Sequence, residues 1–159
     1  MKDLSNFSAA ERVESLKAGA VSAFGMFWGF GAIALVNTLI LVPRFDFLAG
    51  LEVRAIDLNF AFKGSIALLA GFLFGVTYRY AIRIDTNPQL KSGVVLAFGL
   101  VRAFGQLDAG LFFEAGKMPV AQELLPFVLQ SVESVLLFVI AGFVLDWAIG
   151  RSYIKPFDF

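Results

Sequence analysis

Five polar side chains interrupt stretches that are otherwise apolar: Arg102, Gln106 and Asp108 in one, Gln130 and Glu133 in the next. At the depth of a bilayer each unpaired charge costs about 2.5 to 3.5 kcal/mol on insertion scales, so these groups must face protein or water. On a helix, Arg102 and Gln106 are four residues apart and share a face, and Gln130 and Glu133, three apart, share another. Two kinds of chemistry are open to such a set. One is a guanidinium–carboxylate pair flanked by amides; the other is a row of polar groups along which a proton or a solute passes. Measured from the outer ends of two antiparallel spans, Gln106 and Glu133 lie at about the same depth, near 10 Å, with Arg102 about 6 Å deeper. An arginine side chain bridges that gap, so the spacing predicts an Arg102–Glu133 ion pair between the last two helices, with Gln106 and Gln130 beside it. Structural glue outweighs a pathway on this reading, because a single pair neutralises itself whereas a pathway stages ionisable groups through the full depth. Asp108 points roughly 120° from Arg102 and nearer the surface, where it is wet. Asn37, alone in the first apolar stretch, is read as packing in the same way, and Asp146 as solvated at the end of the last.

Other chemistry is sparse. The chain has no cysteine and no histidine, which removes disulfides, structural zinc, iron–sulfur clusters and ordinary haem ligation. It contains no G-x-S-x-G, no P-loop and no H-E-x-x-H, and the serines nearest a carboxylate, Ser131 and Ser134, resemble helix-packing serines. The residues therefore point to a protein that is not an enzyme, with no catalytic residue and no metal. Thirteen basic and thirteen acidic residues cancel, which speaks against a surface for nucleic acid.

The elements that carry these groups are helices in lipid. Hydrophobic residues make up 58% of 159 positions and the mean hydropathy is +0.78, far above a soluble domain. The fold expected is all-α, a polytopic membrane protein with about four transmembrane helices and a short interfacial helix between the first two. A polar, amphipathic segment covers residues 1–17, where Ser8-Ala-Ala-Glu11 has the spacing of a capping box. The four-helix domain covers residues 18–148, with spans at 24–42, 64–80, 93–113 and 126–147, and a tail covers 149–159. The run 18–42 is longer than a signal-peptide core and has no evident cleavage site, so it reads as a retained span. Pro43 and Arg44 mark its exit. Val53, Ile56 and Phe60 recur at helical spacing among charged residues, which predicts the interfacial helix. Asn87-Pro88 marks a tight connection, Gly116, Lys117 and Pro119 break the next, and Pro126 is placed in the first turn of the last helix.

Small residues give the packing faces: Gly25 and Gly29 in the first span, and Ala67, Gly71 and Gly75 in the second. Tyr78, Tyr80 and Trp147 are read as interfacial anchors. Nineteen phenylalanines present a bulky surface whose ordinary contact is lipid, although chlorophyll, carotenoid or quinone also rests against such rings. No inverted repeat relates the two halves, which counts against a transporter.

Four spans place both termini on one side. That side holds Lys2, Arg12, Lys17, Arg79, Arg83, Lys91, Arg151 and Lys155, against Arg44, Arg54, Lys63 and Lys117 on the other. Positive charge is retained inside, so the termini are expected to be cytoplasmic or stromal. The stretch Tyr78-Arg-Tyr-Ala-Ile-Arg-Ile-Asp-Thr-Asn-Pro-Gln-Leu-Lys91, continuing through Val94-Val-Leu-Ala-Phe-Gly-Leu-Val-Arg-Ala-Phe-Gly-Gln106, resembles small uncharacterised membrane proteins of cyanobacteria and chloroplasts. The resemblance implies a thylakoid or plasma membrane and work as an accessory or assembly subunit of a larger photosynthetic complex. It carries no catalytic signature. A small channel or transporter built on the polar cluster is the alternative, and a pigment or quinone carrier a third.

Overall fold

The computed structural model describes residues 9–53, 55–110 and 120–157. Four helices carry the fold: α1 (Ala9–Val36), α2 (Leu58–Ile82), α3 (Pro88–Gly110) and α4 (Ala121–Gly150). All four are long and apolar enough to cross a membrane, and the protein is an integral membrane protein by that measure. Ser8, Lys2, Arg54, and the breakers Gly116, Lys117 and Pro119 lie outside the described residues, as does the end of the span expected at 93–113.

On α1 size, and not polarity, decides which face points inward. Buried on α1 are Ser15, Ala18, Gly19, Ser22, Gly25, Met26 and Gly29, while Leu16, Phe24, Phe27, Trp28 and Leu35 are exposed. Lipid tails are as apolar as leucine, so close backbone approach drives helix association and small side chains mark it. The two small-residue sets serve different interfaces. A β-carbon on Gly71 would lie 2.8 Å from Met26 Cβ, and one on Gly75 would run into the Ala18 backbone, so α2 lies flush on α1. Gly25 and Gly29 face Val144, Leu137 and Ile140 of α4 instead. Helix α1 is thus sandwiched between α2 and α4, and α3 packs on α4 through Gly99, which sits against Val135. Phe74, fully buried, joins three helices by stacking on Phe98 and Phe138 at ring separations of 5.4 and 5.2 Å.

The ends of the helices have local causes. Helix α1 runs without a break from Ala9 through the polar turns expected to form a separate segment. It then widens into a π turn, Asn37–Leu41, in which the Val42 amide donates to the Asn37 carbonyl. Pro43 follows immediately; it has no N–H and its ring crowds the preceding turn, so the ladder ends there in a short 3-10 turn, Val42–Arg44. Asp57 caps α2 by accepting from the Phe60 amide at 2.8 Å, and Asn87 caps α3 by accepting from the Gln89 amide at 2.9 Å, with Pro88 at the first helical position.

Two expectations are corrected. In place of an interfacial α-helix the α1–α2 connection holds a 3-10 turn, Asp46–Leu51, and the described residues from there to Asp57 are non-helical. The helical spacing of Val53, Ile56 and Phe60 is therefore split between that segment and α2. Helix α4 starts at Ala121, so Pro126 lies one turn inside it and not in the first turn. Only the bond from position 126 to the carbonyl of residue 122 is lost, which the end of a long helix tolerates.

After α4 the chain turns back. Ser152 adopts a left-handed φ of 60°, the Tyr153 amide donates to the Ala148 carbonyl and the Ser152 amide to Ile149, a Schellman closure with serine where glycine is usual. The turn sends Ile154 and Phe157 back into the fold, where both are buried.

Candidate functional site

A chamber of about 350 Å³ opens between α1, the start of α2, α3 and α4 at the end of the bundle away from the termini. Arg102 and Gln106 reach it from α3, and Gln130 and Glu133 from α4, so the four residues singled out by spacing share one wall. Asn37, from the π turn of α1, joins them on the same chamber. The volume is that of a small-ligand site.

The expected ion pair is not formed. Among the described residues no carboxylate lies within 4.0 Å of Arg102, and Arg102 Nε and Glu133 Oε1 are both buried without a hydrogen-bond partner. Gln106 is drawn to α4 by Ser134, whose hydroxyl donates to the Gln106 side-chain carbonyl. Glu133 has Asn37 beside it on α1. Arg102 and Glu133 thus line the same cavity without pairing. Asn37 Oδ1 is likewise buried and unpartnered. Ser131 bonds its own helix at the Phe127 carbonyl. Asp108 is exposed and does not line the chamber.

The α1–α2 connection forms the mouth. Thr38 Oγ1 accepts from the Val53 amide at 3.1 Å, which holds the connection across the opening. Glu52, Asp57 and Lys63 stand there, with Asp57 and Lys63 exposed. The chamber therefore grades from a charged rim to a floor of Phe30, Ile33 and Leu137.

A second polar centre sits at the opposite end. Arg79, 1% exposed, donates from Nη1 to Ser15 Oγ at 2.8 Å and to the Glu11 carbonyl, from Nη2 to Glu11 Oε2, and from Nε to the Lys155 carbonyl at 2.8 Å. Its guanidinium also lies over the rings of Tyr80 and Phe157. One side chain of α2 so ties the start of α1 to the tail. Tyr78, expected as an interfacial anchor, is buried and donates to Asp146, which also accepts from Lys91 at 2.9 Å. Asp146 is thus bonded, and not merely solvated. Tyr80 packs edge-on against Phe157. Trp147 remains half exposed and stacks on Tyr153.

Sequence reasoning passed over Asn37 because it had no polar neighbour in its own span. The π turn that aims it is set by Pro43, six residues on. It also read Arg79 as one more positive charge at a helix end; only the fold brings Glu11, Ser15 and the tail around it.

No known family model, curated protein or solved structure matches the chain.

Proposed function

We propose that this is a non-enzymatic membrane protein that takes a polar or charged guest into the intramembrane chamber, in the manner of a small channel or transporter. One observation carries the reading: Arg102 and Glu133 line the same cavity without pairing, and each holds a buried side-chain atom, Nε and Oε1, that has no hydrogen-bond partner. A buried polar group without a partner costs about 1 to 3 kcal/mol, and more when charged. A guest presenting an acceptor to Arg102 and a donor to Glu133 relieves both costs at once. The self-neutralising pair that favoured structural glue is absent from the geometry, so the weight moves to binding. The excess of Lys and Arg on the terminal side supports cytoplasmic or stromal termini and a mouth on the outer face.

Proteoliposomes test this. Wild-type protein is expected to move protons or small ions faster than empty vesicles, and Glu133→Gln to lower that flux at least tenfold. Flux no greater than that of empty vesicles, with Glu133→Gln silent in cells, contradicts the reading.

A second reading is an accessory or assembly subunit of a larger complex in a thylakoid or related membrane. What favours it is an exposed aromatic ridge on α1, where Phe24 and Phe27 both stack edge-on against Trp28. Purification of a tagged copy in mild detergent decides it: stoichiometric recovery of a complex, or a coloured eluate carrying pigment or quinone, supports this reading, and a colourless protein eluting alone opposes it.

A further inference from the structure

The chamber has a side door. Between α2, α3 and α4 a groove of about 670 Å³ runs past Ile66 and Leu73 on one edge and Val101 on the other, all exposed to the surroundings of the bundle. Helices α2 and α3 barely touch, which leaves the groove open sideways. Along α2 it extends from Lys63 to Leu73, ten residues or about 15 Å of helix. That equals one leaflet of a hydrocarbon core about 30 Å thick. Leu73 lies near the middle of α2, so the groove reaches from the rim to the centre of the bilayer.

Chamber and groove share four residues: Lys63, Arg102, Gln106 and Gln130. Both cations are at this junction, whereas Glu133, Asp57 and Glu52 line the chamber alone. The head of the groove is therefore cationic, with two amides beside it, and its length is apolar. We infer that the guest at this junction is an anionic phospholipid, its phosphate between Lys63 and Arg102 and one acyl chain in the groove. The inference rests on the chamber being a binding site and names the class of its ligand. The phosphate supplies acceptors to the Arg102 guanidinium, which has no carboxylate partner among the described residues. Headgroup hydroxyls extend into the chamber toward Glu133 and Asn37. Simple lipid solvation does not account for this arrangement, because a chain in an ordinary annular position has no reason to prefer one headgroup.

Gly105 supplies a plug. It lines the groove, and a β-carbon built there meets nothing within 4 Å. Gly105→Phe puts a ring into the groove from a position with room for its β-carbon, and replacing glycine in a helix interior favours the helix. The test is native mass spectrometry of the purified full chain after exposure to mixed micelles of phosphatidylglycerol and phosphatidylcholine in equal amounts. Wild type is expected to retain phosphatidylglycerol at least fivefold over phosphatidylcholine. Lys63→Gln, at an exposed position that does not threaten folding, is expected to reduce that preference at least threefold, and Gly105→Phe to abolish retention. Glycerol phosphate, which has the headgroup chemistry and no chain, is expected not to displace the lipid. Equal retention of the two lipids, undiminished retention by Gly105→Phe, or full displacement by glycerol phosphate overturns the inference. Flux through Glu133 is read separately in proteoliposomes of phosphatidylcholine alone. A chamber that binds solute but not lipid thus gives Glu133-dependent flux with no lipid preference, and failure of both signals is failure of the chamber itself.

Discussion

At the scale of single residues, the difference between a pair and two separate charges has measurable consequences. Removing one partner of a buried ion pair strands the other and costs about 3 to 5 kcal/mol. Glu133 has no cationic partner within 4.0 Å among the described residues, so Glu133→Gln is expected to change stability in detergent by no more than about 1 kcal/mol, read as a melting temperature. A loss of about 3 kcal/mol or more contradicts the geometry. Arg79 is the opposite case. It is buried and fully bonded, and Arg79→Leu is expected to cost on the order of 3 kcal/mol, with Arg79→Lys recovering little because an ammonium cannot reach Glu11, Ser15 and the Lys155 carbonyl from one planar fork. Full stability of Arg79→Lys in a thermal melt opposes that role. The membership of Arg102, Gln106, Gln130 and Glu133 in one site was legible from a periodicity of three and four. Their separation was not, because the bond from Ser134 to Gln106 and the approach of Asn37 to Glu133 arise only once the helices are packed.

Among elements, the number of spans follows from composition and length, and the small-residue faces follow from spacing. Which helix each face meets does not follow. Gly25 and Gly29 precede Gly71 and Gly75 with the same four-residue step, yet one set meets α4 and the other α1. A test of the α1–α2 contact is Gly75→Val, whose side chain meets the backbone of Ala18 and the β-carbon of Ser22; overpacking of this kind costs about 1 to 3 kcal/mol. Gly31→Ala, with nothing within 4 Å of the added carbon, is expected to be neutral or to gain up to about 1 kcal/mol. Equal melting temperatures for the two variants contradict the packing. The α1–α2 connection was misread for a physical reason: three apolar residues at helical spacing describe a helix only when the hydrogen bonds between them form, and Asp57 instead starts α2 as its cap, ending the segment before a turn is complete.

For the whole molecule, two polar centres sit at opposite ends of an apolar bundle, and they are built differently. The terminal end is closed. Arg79 is satisfied by Ser15, Glu11 and the Lys155 carbonyl and Asp146 by Tyr78 and Lys91, and Phe157 of the tail lies against the Arg79 guanidinium. Removing residues 152–159 uncovers Arg79 and is expected to lower the melting temperature and speed proteolysis at the terminal end; unchanged proteolysis contradicts a closing role for the tail. The other end is open, with Arg102 and Glu133 unpaired on the chamber. That asymmetry is the basis for placing function there, and it is tested by whether the chamber is wet. The chain has no cysteine, so a single cysteine placed at residue 133 or 102 is the sole target for a membrane-impermeant thiol reagent, with Phe138→Cys, in the buried core, as the reference. Labelling of Glu133→Cys and Arg102→Cys from the side opposite the termini, with Phe138→Cys left unreacted, is the expected result. Protection of both positions to the same degree as Phe138→Cys would mean a dry contact between helices and contradict a chamber that receives a polar guest.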